Sequence, residues 1–299
     1  MSPSRPPETQ THPLDPRNPR VIATGRVLRA VGRLAPRTGA RVAEALFVKT
    51  ARPAPRPPEA RFLATARRGK LRVHGQRIAT YSWGPTEGPL VILTHGWQSH
   101  AGRFTPMAKA LVAAGYHAVA FDGPGHGAST GWRATMPEFA RTIRAVVDAH
   151  GPAHAAIGHS LGGAATVFAL SHGLPAARAV TIAAPADVTR WVTRFREVFR
   201  LSDRVFGHMR RNMERRIKVR WDDLDLSAAA RRVTVPGLVI HDEGDPDVPL
   251  DDATALVAAW SGAVLHRTTG LGHRAVLRDD AVITRVLAFL GEPAPQNGL

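Results

Sequence analysis

Cysteine is absent from this 299-residue chain. That excludes a disulfide framework, thiolate metal sites and a cysteine nucleophile, and it leaves the redox compartment open. Lysine is scarce as well. Only Lys49, Lys70, Lys109 and Lys218 occur, so the excess of 40 Lys+Arg over 24 Asp+Glu, a net +16, is carried almost wholly by arginine. No compact basic run is interleaved with aromatics, so nucleic acid is not expected as a specific partner. Attraction to an anionic membrane surface is one reading of the charge; an arginine-rich habit spread over the whole surface is the other. Long apolar runs are missing too. The longest stretch without a charged residue, 149–177, is interrupted throughout by Gly, Pro, His and Ser, unlike a membrane span. The N-terminus lacks the short uncharged apolar block of a secretory leader, so the expected location is cytoplasmic. With no H-E-x-x-H or similar ligand set, neither a metal nor a cofactor is expected. No internal repeat is present.

What is present begins with length and apolar content: 299 residues at 44% hydrophobic can bury one large core. Residues 1–20 are rich in Pro, Thr and Arg and are expected to be disordered, because they hold too little apolar surface to offset chain entropy. Residues 21–60 read as a basic helical extension, split at Pro36, followed by a Pro-rich linker over 51–60. Arg26, Arg29, Arg33, Arg37 and Arg41 recur at three- and four-residue spacing and form a basic stripe, with Val27, Val31, Leu34, Leu46 and Phe47 as its apolar counterpart. Peripheral membrane contact through this segment is one reading; a helix lying on the outside of the main domain is the other.

Over 61–299 the pattern becomes an alternation of strands and helices, which predicts a largely parallel sheet covered on both faces. Residues 71–83 suggest a hairpin turning at His74-Gly75. Continuous apolar runs at 89–94 (PLVILT), 118–122, 155–159, 179–184 and 237–241 suit strands buried on both faces, with a last strand at 263–268. Helices are expected near 103–114, 136–150, 160–172, 250–260 and 277–290. The interval 187–231 breaks the alternation with helical, aromatic-rich composition and reads as a small cap inserted over the carboxyl edge of the sheet.

Gly158-His159-Ser160-Leu161-Gly162 matches G-x-S-x-G between an apolar strand and a helix of small residues. A sharp strand-to-helix turn forces the serine into a strained conformation with its hydroxyl exposed, and side chains beside it would collide, hence the glycines. A serine hydroxyl needs a base, and His273, in Gly270-Leu271-Gly272-His273 after the last strand, has the best setting. His159 and His95 lie inside other motifs and suit that role poorly. The base needs a carboxylate, and Asp245 in Asp245-Pro246-Asp247-Val248-Pro249 is the first choice. Asp242 is second because it lies nearer the strand end, and Asp187 third. The chain order Ser160, Asp245, His273 is nucleophile, acid, base. Backbone amides of Leu161 and Trp97 are the candidate oxyanion donors. Asp122-Gly123-Pro124-Gly125-His126-Gly127 lacks the Lys-Ser/Thr ending of a phosphate-binding loop and reads as a structural turn.

Together the H-G-W, D-x-P-G-H-G-x-S, G-H-S-L-G-G, D-x-x-V-P and G-x-G-H elements, in that order over about 70–290, resemble the α/β-hydrolase superfamily, and its esterase- or lipase-like members with a short cap above all. The resemblance implies an eight-stranded, mostly parallel sheet and a two-step acyl-enzyme mechanism. A serine at the elbow sets the chain apart from the branches that carry aspartate there. It implies a hydrolase of carboxylic esters with small to medium apolar acyl groups. Thioesterase, acyltransferase, carbon–carbon hydrolase, peptidase and perhydrolase chemistry stay open, as does a non-catalytic ligand-binding or membrane-associated scaffold.

Overall fold

Strand formation follows the apolar runs closely. The computed structural model describes residues 16–292 and contains eight strands: β1 (Arg67–Val73), β2 (Gln76–Trp83), β3 (Leu90–Thr94), β4 (His117–Phe121), β5 (Ala155–His159), β6 (Ala179–Ile182), β7 (Gly237–Asp242) and β8 (Ala263–Thr268). They form one sheet in the order β1-β2-β4-β3-β5-β6-β7-β8. The β1–β2 and β2–β4 pairings are antiparallel; the rest are parallel. His74 and Gly75, both at positive φ (47° and 77°), make the tight β1–β2 turn.

Helices follow in chain order: α1 (Pro19–Leu34), α2 (Pro36–Phe47), α3 (Pro57–Ala64), α4 (Thr105–Ala113), α5 (Met136–His150), α6 (Leu161–Leu170), α7 (Thr189–Phe199), α8 (Asp203–Ile217), α9 (Leu226–Ala230), α10 (Leu250–Ala259), α11 (Gly272–Ala275) and α12 (Asp280–Gly291). The period of two in the strands feeds two cores. Ile92, Val119 and Phe121 pack with α5, α6, α9 and α10 on one face. Val91, Leu93, Ile157 and Ile240 pack with α4 and α12 on the other. Both faces are therefore covered, as a parallel sheet requires.

The chain divides into two compact units, residues 48–188 with 217–299 and residues 1–47 with 189–216. The first holds the sheet. In the second, α1 and α2 meet through glycines: a Cβ on Gly39 would stand 2.8 Å from Gly32 Cα. Gly25 lies against Phe199, and Phe195 packs edge-on to Phe47 at 5.4 Å. The interval 187–231, expected as one cap, is therefore shared: α7 and most of α8 join the N-terminal helices, while α9 stays with the sheet.

Two expectations at the N-terminal side need correcting. The anticipated disorder over 1–20 lies outside the described residues up to 15, but α1 already starts at Pro19, because the Asn18 side chain accepts from Arg20 N–H at 2.9 Å and caps it. The Pro-rich linker ends at Arg56 rather than residue 60. Pro57 and Pro58 open α3, since proline in the first helical turn removes only an N–H that has no intrahelical acceptor. Among the described residues no helix is long and apolar enough to cross a membrane.

Candidate active site

The parallel strands of the first unit all deliver their carboxyl ends to one edge, where an open α/β sheet presents its reactive loops. Ser160 leaves β5 with φ 53° and ψ −124°, and α6 begins at the next residue. A non-glycine residue held there stores about 1–3 kcal/mol of strain, which only a rigid setting sustains. The setting is backbone against backbone. A Cβ on Gly158 would stand 2.3 Å from Gly162 O, and one on Gly162 would stand 2.2 Å from Thr94 O. Glycine at both positions lets β5, β3 and the start of α6 approach closely. Ser160 N–H donates to Ile182 O at 2.9 Å, which ties the turn to β6.

The loops after β7 and β8 bring Asp245 and His273 together. His273, in the first turn of α11, donates through Nδ1–H to Asp245 Oδ2 at 2.8 Å. The Asp245 side chain is fully buried and that of His273 only 10% exposed. Asp245 Oδ1 also accepts from the N–H groups of Asp247 (2.8 Å) and Val248 (3.0 Å), so the Asp-Pro-Asp-Val-Pro turn aims the carboxylate. Burial raises the Asp245 carboxyl, but the hydrogen bond and charge of His273 and the two amides outweigh it and hold the group below the usual carboxylate range. With Nδ1 bound to a carboxylate, Nε2 is left as the basic nitrogen of the ring.

Asp242 has a different task. Its Oδ2 accepts from Thr268 Oγ1 and from Leu271 N–H, both at 2.9 Å, and its Oδ1 accepts from Gly244 N–H at 3.0 Å. It staples the end of β7 to the loop that carries His273. Burial raises its carboxyl, and the amides of Leu271 and Gly272 with Thr268 pull it below the usual range. Asp187, the third candidate, pairs by a backbone bridge with Asp225. The carboxylate hydrogen-bonded to the histidine is Asp245.

The loop after β3 meets the elbow at Gly96, where a Cβ would stand 2.9 Å from Ser160 Cβ. Trp97 follows, and the Leu161 N–H opens α6, where first-turn amides lack intrahelical acceptors and the helix dipole favours negative charge.

Residues 87–223 match the family model of the serine aminopeptidases, S33. The monoacylglycerol lipase of Mycolicibacterium smegmatis is 36% identical over 113 residues, 34% of this chain and 40% of the relative. The chain spans under half the length of each curated relative it matches. A hydrolase structure from Pseudomonas aeruginosa superposes with TM-score 0.61 at 21% identity, covering 76% of this chain and 100% of that one. A carboxylesterase from Bacillus subtilis superposes with TM-score 0.59 at 20% identity, covering 78% and 95%. The chain has the α/β-hydrolase fold.

Three further histidines organise the loops around the site, among them His95 and His159, which suit the role of base poorly. His159 Nε2–H donates to the His273 carbonyl at 2.7 Å, tying the elbow to the loop of the base. His95 accepts at Nε2 from Gly123 N–H (2.8 Å) and bonds Gly96 O through Nδ1 (2.7 Å). His126 accepts at Nε2 from Gln98 N–H (3.0 Å) and bonds Pro124 O through Nδ1 (2.8 Å). The His95 and His126 rings must be neutral to serve as donor and acceptor at once. Burial accordingly lowers His95 to about 4 and His126 and His159 to about 3. The glycine-rich Asp122 turn is structural, as expected: the carboxylate accepts from Tyr81 OH, Ala101 N–H and Ala128 N–H at 2.8–2.9 Å. Residue order alone carried little signal for the bonds that tie the loops together, because His159–His273, His95–Gly123 and His126–Gln98 join segments far apart in sequence.

Proposed function

We propose that this chain hydrolyses carboxylic esters of small to medium apolar acyl groups through Ser160, His273 and Asp245. The observation that carries the reading is the buried Asp245–His273 bond at 2.8 Å, in a loop that His159 ties to the elbow holding Ser160 at φ 53°. In the first step Ser160 Oγ attacks the ester carbonyl carbon while its proton passes to His273 Nε2. Asp245 stabilises the resulting imidazolium. The N–H groups of Trp97 and Leu161 donate to the oxyanion, a contribution worth about 3 kcal/mol per donor in such sites. The tetrahedral intermediate collapses, and the leaving alcohol takes the proton from His273. Water then attacks the acyl-enzyme, gives a proton to the same nitrogen, and the acid departs as Ser160 regains its hydrogen.

The monoacylglycerol lipase among the relatives supports including monoacylglycerols in the substrate screen. A fluorophosphonate probe with peptide mapping should label Ser160, and p-nitrophenyl esters of increasing chain length should be turned over. Ser160→Ala should lower kcat by several orders of magnitude with the fold intact. Activity near that of the parent protein would remove Ser160 from the reaction. Tight ester binding without labelling or turnover would favour the ligand-binding scaffold instead.

A further inference from the structure

The arginine excess is not spread over the molecule. Residues 16–47 and 189–216, the described part of the second unit, hold sixteen arginines against four carboxylates, a net +12 of the chain's +16. Three of those four carboxylates are already paired: Glu44 with Arg216, Asp203 with Arg196 and Glu214 with Arg210. Arg26, Arg33, Arg37 and Arg41 stand exposed on α1 and α2. The same two helices carry five of the seven large apolar residues that are exposed among those described: Ile22, Val27, Leu34, Val42 and Leu46, with Val27 at 60% and Leu34 at 89%. Val27 and Leu34 lie seven residues apart on one face of α1, and Arg26 and Arg33 stand at the same spacing beside them. On α2, Val42 and Leu46 are four apart, next to Arg37 and Arg41.

We propose that this helical unit docks the protein onto an anionic lipid surface, with Val27, Leu34, Val42 and Leu46 entering the headgroup region and the flanking arginines meeting lipid phosphates. Charge and apolarity together select that occupant. A nucleic acid would satisfy the guanidinium groups but leave Leu34 in water. A second copy of so cationic a surface would repel the first. A bilayer interface takes both, and long arginine side chains reach phosphate while their stems cover apolar surface. α1 has 16 residues and carries Arg20, Arg26, Arg29 and Arg33, so it lies along the interface rather than across it. Desolvation and then the charges of Arg211, Arg37, Arg204 and Arg215 hold His208 below its ordinary range, so guanidinium groups of both α2 and α8 act on one ring.

The test uses the full chain and sedimentation with vesicles of phosphatidylcholine, alone or with a minority of phosphatidylglycerol. Binding should require the anionic lipid and weaken as salt rises. Each arginine removed should cost about fivefold in partitioning, so the combined R26Q/R33Q/R37Q/R41Q variant should lose roughly two to three orders of magnitude. V27S/L34S should weaken binding at least about tenfold while leaving its salt dependence in place. Thermal melting should be unchanged in both variants, because the altered side chains are exposed. Equal binding to neutral and anionic vesicles, or parental binding by the four-arginine variant, would overturn the proposal. So would a V27S/L34S variant that binds vesicles normally, or binding to duplex DNA as tight as to anionic vesicles, since either would make the surface a general polyanion site. The outcome is independent of catalysis, and a Ser160→Ala protein should bind vesicles like its parent.

Discussion

Acid should dismantle this site before it protonates the Asp245 carboxylate. His95, His126 and His159 are buried (1%, 0% and 6% exposed) and are held neutral by hydrogen bonds that need a lone pair or by their apolar surroundings. Their ordinary value of 6.5 falls to about 4, about 3 and about 3 in the folded chain, through burial above all. The unfolded chain therefore binds more protons. Stability from these groups is fully present above the unfolded value and is lost as pH falls from 6.5 toward the folded values. At pH 5 each histidine shifts the balance toward unfolding by about 2 kcal/mol, so the three together remove roughly 5 kcal/mol between pH 7 and 5. That is comparable to the whole stability of many domains. Asp242 and Asp245, both below the ordinary carboxylate range, stay ionised through this window and begin to contribute only at lower pH. Urea titrations at pH 7, 6 and 5, read by fluorescence and by ester turnover, should show the midpoint falling steeply and reversibly. His126→Gln should flatten the slope by about a third. A midpoint independent of pH across this range would refute the reasoning, because it would mean that none of the three rings is held neutral by the fold.

Asp245→Asn keeps Oδ1 for the amides of Asp247 and Val248 but turns an NH2 toward His273 Nδ1. The wrong tautomer should lower kcat about 10³–10⁴-fold with little change in melting temperature. Asp242→Asn keeps Oδ1 for Gly244 but turns an NH2 toward Thr268 and the Leu271 N–H, and should show first as about 2–4 kcal/mol of lost stability in denaturant titration. The reverse ranking in kcat would reassign the acid. Gly162→Ala drives a Cβ to 2.2 Å from Thr94 O, a backbone atom that cannot swing aside. It should cost roughly 1–3 kcal/mol or more and suppress probe labelling at Ser160, whereas unchanged melting and labelling would contradict the elbow geometry.

Much of this was legible because it is local. Strand–turn–helix around Ser160, the His74-Gly75 hairpin and the buried strands each write their constraint into neighbouring residues. The start of α3 is hidden in the sequence because four prolines suit a linker equally well, although two of them occupy the one part of a helix that tolerates proline. The choice between Asp242 and Asp245 was not local at all. Asp242 ends β7 and Asp245 follows three residues later, and only the return of the chain from β8 decides which one meets the His273 ring and which one meets the Leu271 amide.

By itself the sequence determined the chain order of Ser160, Asp245 and His273 and the sheet that presents them, since hydrophobic period and turn chemistry act over a few residues. Tertiary structure alone decided the division of labour among the carboxylates and histidines. It also decided that arginines from two segments about 150 residues apart would stand on one helical unit. Hydrogen bonds and charges act through space, and distance in space is set only when distant segments of the chain pack together.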